Sequence, residues 1–187
     1  SPYGLSKKTA EDYLKLAKDL YDLDYAILRY SNVYGPRQTT SGEGGVISIF
    51  TNQVINNEEP VIYGDGFQTR DFIYVEDVAS ANLKALRYDG SGTFNISSTT
   101  STSINQLLSV IQTFGKQDIF PIYKPAINGD IKESLLSNNK SIQLLDWQPV
   151  FSLEKGLANT YEYYIKQNQP TLASEKEHTP LLNPITL

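Results

Sequence analysis

Apolar residues recur at spacings of three and four along several stretches of the chain, a pattern typical of helices that bury one face. The first stretch runs from Lys8 to Tyr21, with an apolar stripe of Tyr13, Leu14, Ala17, Leu20 and Tyr21. Ser103 is a suitable N-cap for another helix, which Gly115 is expected to end. In all, five further helices are predicted, at Val46–Ile55, Glu76–Leu86, Ile104–Phe114, Asn138–Leu145 and Leu153–Ile165.

Short runs rich in β-branched and aromatic residues lie between these stretches and predict strands. Gly64-Asp65-Gly66 predicts a turn, and Asn32–Gly45, which contains Pro36, predicts a long loop. Because strands and helices alternate, an α/β fold is expected, resembling the later strands of a larger sheet with a small mixed lobe. The predicted strands are Tyr25–Tyr30, Pro60–Tyr63, Phe72–Val75, Thr93–Ile96 and Ile119–Tyr123.

Charge and composition exclude several classes of function. The net charge of -5 argues against a nucleic-acid binder, because neutralising phosphates needs clustered Lys and Arg. The absence of cysteine excludes disulfides and thiolate metal sites, and His178 alone cannot form a histidine metal site. The apolar runs are far shorter than the roughly 20 residues that span a bilayer, so no membrane segment is expected and the cytoplasm is the default location.

Two features of the sequence predict a fragment. The chain begins Ser1-Pro2-Tyr3 and contains no methionine, although a native start codon would supply one. No Gly-x-Gly-x-x-Gly follows a predicted strand, so the phosphate-binding half of a dinucleotide fold is expected to be missing.

Tyr3 and Lys7 are four positions apart at the start of the first helix, so their side chains point to one face. A neighbouring ammonium favours the phenolate form of a tyrosine and thereby suits it to act as a general base. A Tyr-x-x-x-Lys pair also arises by chance on helix surfaces. Taken alone, the pair is better explained as a surface contact.

Three longer motifs carry a family resemblance. Pro2–Lys7 (PYGLSK), Leu28–Gln38 (LRYSNVYGPRQ) and Tyr63–Val78 (YGDGFQTRDFIYVEDV) occur in this order, followed by weaker blocks at Gly129–Ile131 and Leu145–Pro149. Together they resemble the extended short-chain dehydrogenase/reductase superfamily, in its UDP-glucose 4-epimerase branch. The resemblance covers about 150 residues and implies the C-terminal part of an NAD(P)-binding Rossmann-like fold, with a small α/β substrate-binding lobe.

The resemblance also implies roles for individual residues. Tyr3 would be the catalytic base, Lys7 would hold the cofactor ribose, and Tyr30 would lie beside the nicotinamide of NAD. The nucleotide sugar would meet Asn32 and Arg70 at its diphosphate, Val46 and Tyr63 at its base, and Asp130 at its ribose. A guanidinium fork suits phosphate oxygens, which is why an arginine is expected there.

Plain structural alternatives exist for three of these residues and stay open at this point. Arg70 could form a salt bridge with Asp71 or Glu76, Tyr63 could be a core aromatic, and Asn32 could be a turn residue before Gly35. Trp147 and Leu145 are expected to pack in the core rather than to line a site.

The sequence departs from the family pattern near the Gly129-Asp130 pair. Ile127 stands where an arginine is usual, so a phosphate contact is absent or replaced by Lys124 or Lys132. Asn138 replaces a common acid, and the usual Leu-Gly-Trp is Leu-Asp-Trp at Trp147.

These readings lead to two competing functions. The first is an NAD-dependent nucleotide-sugar epimerase, with a dehydratase or decarboxylase as close variants, of which this chain is an inactive C-terminal fragment. The second is a binding module that holds a nucleotide sugar without a cofactor. Residues 1–167 would form the enzyme portion and 168–187 a polar tail, and the resemblance implies a homodimer that uses the helix of Tyr3 and Lys7.

Overall fold

Helices and short strands alternate along the chain, as the sequence predicts. The computed structural model describes residues 2–39, 45–116 and 118–168. The helices are α1 (Pro2–Tyr21), α2 (Val46–Ile55), α3 (Val75–Ala85), α4 (Ile104–Gly115), α5 (Asn139–Leu145) and α6 (Leu153–Asn168). The strands are β1 (Ala26–Tyr30), β2 (Asn32–Tyr34), β3 (Val61–Tyr63), β4 (Thr69–Arg70), β5 (Phe72–Tyr74), β6 (Gly92–Ile96), β7 (Thr102–Ser103) and β8 (Ile122–Lys124).

The strands pair two by two, and three of the four pairs are parallel. β1 runs beside β6 in the register Ala26↔Gly92, β2 lies beside β5, and β3 lies beside β8. β4 and β7 form the antiparallel pair. Among the described residues, β1 is paired on one side only, so its other edge is open.

Two apolar clusters form the core. One lies between the β1–β6 pair, α3 and α5, and contains Phe94, Leu145 and Trp147. Both Leu145 and Trp147 are buried, so their expected place in the core is confirmed. The other cluster joins α2, α4 and α6 to Tyr34 and Tyr74.

Close packing of α6 against β2 depends on a glycine. A Cβ at Gly156 would lie 2.1 Å from the hydroxyl oxygen of Tyr34, so the tyrosine can pack this closely against the helix because residue 156 has no side chain. The Tyr34 hydroxyl donates to the carbonyl oxygen of Leu153 at 3.3 Å. Burial raises the pKa of this phenol, which therefore stays protonated and serves packing.

Helix α1 lies outside both clusters. None of its residues is buried, and the predicted apolar stripe is open, with Tyr13 exposed by 68% and Leu20 by 60%. Its main polar anchor is Arg29 of β1, which donates from Nε and Nη2 to the two carboxylate oxygens of Glu11 at 2.7 and 2.5 Å. The stripe is therefore available to another surface.

The structure corrects four predicted details. α1 begins at Pro2, six residues earlier than expected, and Asn32–Tyr34 is a strand instead of part of a loop, because it pairs with β5. The last strand is β8, displaced toward the C-terminus of the prediction. Ser103 is confirmed as the N-cap of α4, but Lys116, with a φ of 52°, ends the helix in place of Gly115.

Helix α6 reaches Asn168, one residue into the predicted tail. The rest of that tail, including His178, lies outside the described residues. No helix within the described ranges is long and apolar enough to cross a membrane. The same ranges contain no group of three or more side chains that could hold a metal ion.

Candidate functional site

All five residues predicted to bind substrate line one cavity. Asn32, Val46, Tyr63, Arg70 and Asp130 come from five separate segments of the chain, and the fold brings them together around a space of about 430 Å³. The wall is completed by Phe50, Val61, Ile62, Gln68, Ile104, Ile127, Asn128 and Gly129.

Strand pairing places the polar residues of this wall. Asn32 opens β2, where its backbone N–H donates to the Asp71 carbonyl at 2.8 Å. Arg70 ends β4, directly before Asp71. Because Asn32 belongs to a ladder, the alternative that it is a turn residue is wrong.

Arg70 carries the positive charge of the cavity wall. Its Nη2 donates to the Asp130 carboxylate at 2.6 Å, while its Nη1 donates to the carbonyl of Ile131 at 2.5 Å and to that of Thr69 at 2.9 Å. The alternative of a salt bridge with Asp71 or Glu76 is therefore wrong. The guanidinium side chain is only 16% exposed, so solvent screens its charge weakly.

The N-terminus of α2 provides a second source of positive potential next to the cavity. Gly45 is the N-cap and has no side chain that could cap the helix, and the first turn contains no acidic residue. The first helical residue, Val46, lines the cavity. The end of a helix with uncapped N–H groups favours anions, so two features of the wall suit a phosphate.

Tyr63 ends β3 at the predicted turn. Its side chain is exposed by 44%, so the alternative that it is a core aromatic is wrong. Gln68 Nε2 donates to the Tyr63 carbonyl at 2.7 Å across the turn. Gly66, with a φ of 75°, must be glycine here, because a Cβ would lie 2.0 Å from Asn105 Oδ1.

Of the residues that depart from the family pattern, Ile127 lies in the cavity wall and Asn138 lies in the core. Ile127 lines the cavity, and neither Lys124 nor Lys132 does, so within the described wall Arg70 is the only cationic side chain. Asn138 is buried and donates to the Ser97 carbonyl at 2.9 Å, which makes it part of the core.

The sequence did not single out Ser31 or Gln38. Both line a smaller cavity of about 260 Å³ that shares Asn32 and Val46 with the larger one. Ser31 Oγ and Gln38 Oε1 are buried there and make no hydrogen bond with any described residue. Leaving such groups unpaired is costly, so both are candidates for pairing with a buried water or a polar ligand. Their only sequence signal is that both lie in the Leu28–Gln38 motif, where Ser31 directly precedes Asn32.

The predicted catalytic pair lies elsewhere on the molecule. Tyr3 and Lys7 share one face of α1, with Lys7 Nζ 5.4 Å from the centre of the Tyr3 ring. Neither lines the cavity of Arg70. Tyr30 faces a third cavity, where its hydroxyl donates to Asn82 Oδ1 at 3.1 Å. The chain thus separates the predicted catalytic and cofactor residues from the predicted substrate residues.

Comparison with known proteins places this arrangement in a family. Residues 1–97 match the family described as the NAD dependent epimerase/dehydratase family, a range that contains every predicted site residue except Asp130. A putative UDP-glucose 4-epimerase of Methanocaldococcus jannaschii is 43% identical over 173 residues, which are 90% of this chain and 55% of that protein.

Solved structures agree with this match. The UDP-glucose 4-epimerase of Thermotoga maritima, solved with UDP-glucose, has a TM-score of 0.87 and 44% identity over 89% of this chain and 54% of its own. The Thermus thermophilus enzyme, solved with NAD, has a TM-score of 0.81 and 32% identity over 88% and 54% of the two chains. This likeness confirms the expected Rossmann-like α/β fold. The chain spans about half the length of the relatives it matches, and by its sequence and its fold it belongs to the NAD dependent epimerase/dehydratase family.

Proposed function

We propose that this chain is the C-terminal, nucleotide-sugar-binding part of an epimerase that resembles UDP-glucose 4-epimerase. The observation that carries the proposal is the meeting of Asn32, Val46, Tyr63, Arg70 and Asp130 around one cavity. The cavity combines one weakly screened guanidinium, one helix N-terminus and one exposed aromatic ring, which together suit a nucleoside diphosphate.

Each part of such a ligand has a matching group. The diphosphate would lie between Arg70 and the N-terminus of α2, where a guanidinium fork and backbone N–H groups can share its oxygens. The base would stack on the exposed ring of Tyr63, and the Asp130 carboxylate would accept hydrogen bonds from ribose hydroxyls.

The sugar would occupy the smaller neighbouring cavity. Ser31 Oγ and Gln38 Oε1 are buried acceptors without a partner among the described residues, and sugar hydroxyls are donors of the right size to satisfy them. Since this cavity shares Asn32 and Val46 with the larger one, a ligand linked through its diphosphate can enter both.

The chemistry would be carried by Tyr3 and Lys7. The phenolate of Tyr3 would take the proton of a sugar hydroxyl. It would return the proton after the oxidised sugar has rotated to present its opposite face to the cofactor. The Lys7 ammonium would stabilise that phenolate and hold ribose hydroxyls. When bound, the NAD on which this family depends would supply the reversible hydride chemistry, and the residues of this chain would handle the proton. Tyr3 and Lys7 lie on an exposed helix face and so fit this cofactor's ribose, while Tyr30 would lie beside its nicotinamide.

The larger assembly is part of the same proposal. The half of the relatives' length that this chain does not match would supply the phosphate-binding part of the cofactor fold and border the open edge of β1. The exposed stripe of α1 supports the homodimer implied by the resemblance, and the cytoplasm is its proposed location.

The test is turnover by the intact native protein that carries this sequence. With NAD, it should convert UDP-glucose to UDP-galactose, and Tyr3→Phe should lower kcat by about a thousandfold while UDP affinity stays within about twofold. Tyr163→Phe is the control, since Tyr163 is a partly exposed tyrosine of α6 that lines neither cavity, and should leave both unchanged.

Two outcomes would contradict the enzyme. Full turnover in Tyr3→Phe would remove the catalytic role from this tyrosine. UDP binding without turnover in the intact protein, whichever nucleotide sugar is supplied, would favour the binding module.

A further inference from the structure

Asp71 is a fully buried carboxylate that does not line the cavity yet binds the segments that build it. Its Oδ1 accepts hydrogen bonds from the backbone N–H of Ser98 at 2.9 Å and from the Ser98 hydroxyl at 2.8 Å. Its Oδ2 accepts from the backbone N–H groups of Thr99 at 3.2 Å and Leu136 at 3.4 Å. One side chain thus joins three stretches that are far apart in sequence.

The partners of Asp71 lead directly to the predicted substrate residues. Its backbone carbonyl accepts from Asn32, and the preceding residue is Arg70. Leu136 closes the segment 130–136, which begins with Asp130 and is hydrogen-bonded to Thr69 through Lys132 and Ser134. The relative position of Arg70 and Asp130 is therefore set by the strand that carries Asp71 and by the segment that its carboxylate holds.

We propose that Asp71 is the positioning residue of the nucleotide site, fixing the segment 130–136 against β4 so that Arg70 and Asp130 meet. The inference rests on the nucleotide-sugar function proposed above. A full negative charge is needed because every group directed at the carboxylate is a donor. An amide in its place would turn its own N–H groups toward N–H donors in a buried space where water cannot compensate.

Asp77 supplies a matched control within the same chain. It is also buried, and its carboxylate also accepts two backbone N–H bonds, from Val150 at 2.9 Å and Phe151 at 3.2 Å. Neither Asp77 nor these two partners lines the cavity of Arg70. Asp71→Asn and Asp77→Asn therefore disturb similar buried clusters, but only the first is connected to the site.

The experiment measures UDP binding by calorimetry in the intact native protein, at a temperature where circular dichroism shows every variant to be folded. Asp71→Asn should weaken UDP binding roughly tenfold, the factor that loss of one hydrogen bond to a charged group produces. Asp77→Asn should also lower the melting temperature but leave UDP affinity within about twofold.

A second pair of substitutions, which remove single hydroxyl groups, tests the same proposal if the asparagine variants do not fold. Ser98→Ala removes the hydroxyl that donates to Asp71 and accepts from the backbone N–H of Thr100, while both backbone N–H bonds to the carboxylate from residues 98 and 99 remain, and should weaken UDP binding about threefold. Ser80→Ala removes a hydroxyl beside Asp77 that donates to the Asp77 backbone carbonyl and accepts from Trp147 Nε1, and should leave UDP binding unchanged.

The outcomes separate this inference from the function on which it rests. Wild-type protein that does not bind UDP, or Arg70→Ala that binds it normally, would overturn the proposed function and the role of Asp71 with it. Normal binding by Asp71→Asn and Ser98→Ala, in a protein where Arg70→Ala binds poorly, would overturn the positioning role alone. Equal weakening by the Asp71 and Asp77 variants would also overturn it, because both would then act through general stability.

Discussion

Replacing Arg70 by alanine isolates the diphosphate contact of the proposed site. In the structure the guanidinium makes hydrogen bonds to Asp130, Ile131 and Thr69, and its side chain is 16% exposed. The variant leaves the Asp130 carboxylate without this partner. That side chain is 40% exposed and can be hydrated, so the loss of folding stability should stay near 1–2 kcal/mol.

The effect on binding should be larger than the effect on stability. A hydrogen bond to a charged group contributes about 1.5–3 kcal/mol, and Ile127 and the rest of the described wall offer no second cationic side chain. At about 1.4 kcal/mol for each factor of ten, UDP binding should weaken about 10- to 150-fold in Arg70→Ala.

Calorimetry with UDP and with uridine separates the phosphate contact from the rest of the site. Uridine lacks phosphates, so Arg70→Ala should lose less affinity for uridine than for UDP. The remaining loss would come from Asp130, the proposed ribose contact, which no longer has its Arg70 partner. Arg29→Ala is the control, because this guanidinium is paired with Glu11 away from the cavity. Equal losses for UDP and uridine would show that the variant disorders the site, and unchanged UDP binding would refute the phosphate role.

Two further predictions concern stability. Ser103→Ala removes the capping box with Gln106 and should lower the free energy of unfolding in urea by about 1 kcal/mol. The control is Ser109→Ala, at an exposed position within the same helix, which should change that free energy by less than about 0.5 kcal/mol. Equal effects of the two variants would show that the cap is unimportant. The hydrogen bond from Arg29 holds the pKa of the Glu11 carboxyl below its usual value of 4.5, so its stabilisation is present above that pH and is lost as the pH falls through the lowered pKa. Because Arg29 is half exposed, wild type should be more stable than Glu11→Gln by only about 0.5–1 kcal/mol at pH ~7. The difference should vanish in acid. A difference that persists in acid would contradict the predicted pH dependence.

Local signals explain which elements could be predicted. α4 has a periodic apolar stripe and a Ser103 cap, both of which act within a few residues, and the structure confirms them. β2 was missed because three residues beginning with Asn32 have no strand pattern of their own and become a strand only by pairing with β5. Lys116 in the left-handed region was likewise unpredictable from a preference that favours Gly115.

The candidate site likewise has features that the sequence predicts and features that only the fold determines. The substrate residues were predicted because their motifs resemble a family. The order of motifs along the chain does not give the distances between their residues in space. These residues are Asn32, Val46, Tyr63, Arg70 and Asp130. Their assembly around one cavity is a property of the fold. The burial of Ser31 Oγ and Gln38 Oε1 depends on how α2 packs beside β2, so no pattern of neighbouring residues could reveal it.

The sequence by itself determined the α/β class, the family and the residues worth testing, because periodicity, capping and motifs are properties of neighbouring positions. The tertiary structure decided that Arg70 pairs with Asp130 instead of Asp71 or Glu76, and that Asp71 is a buried junction between three segments. Partners that lie 60 and 65 residues apart along the chain are brought into contact only by the packing of the whole fold.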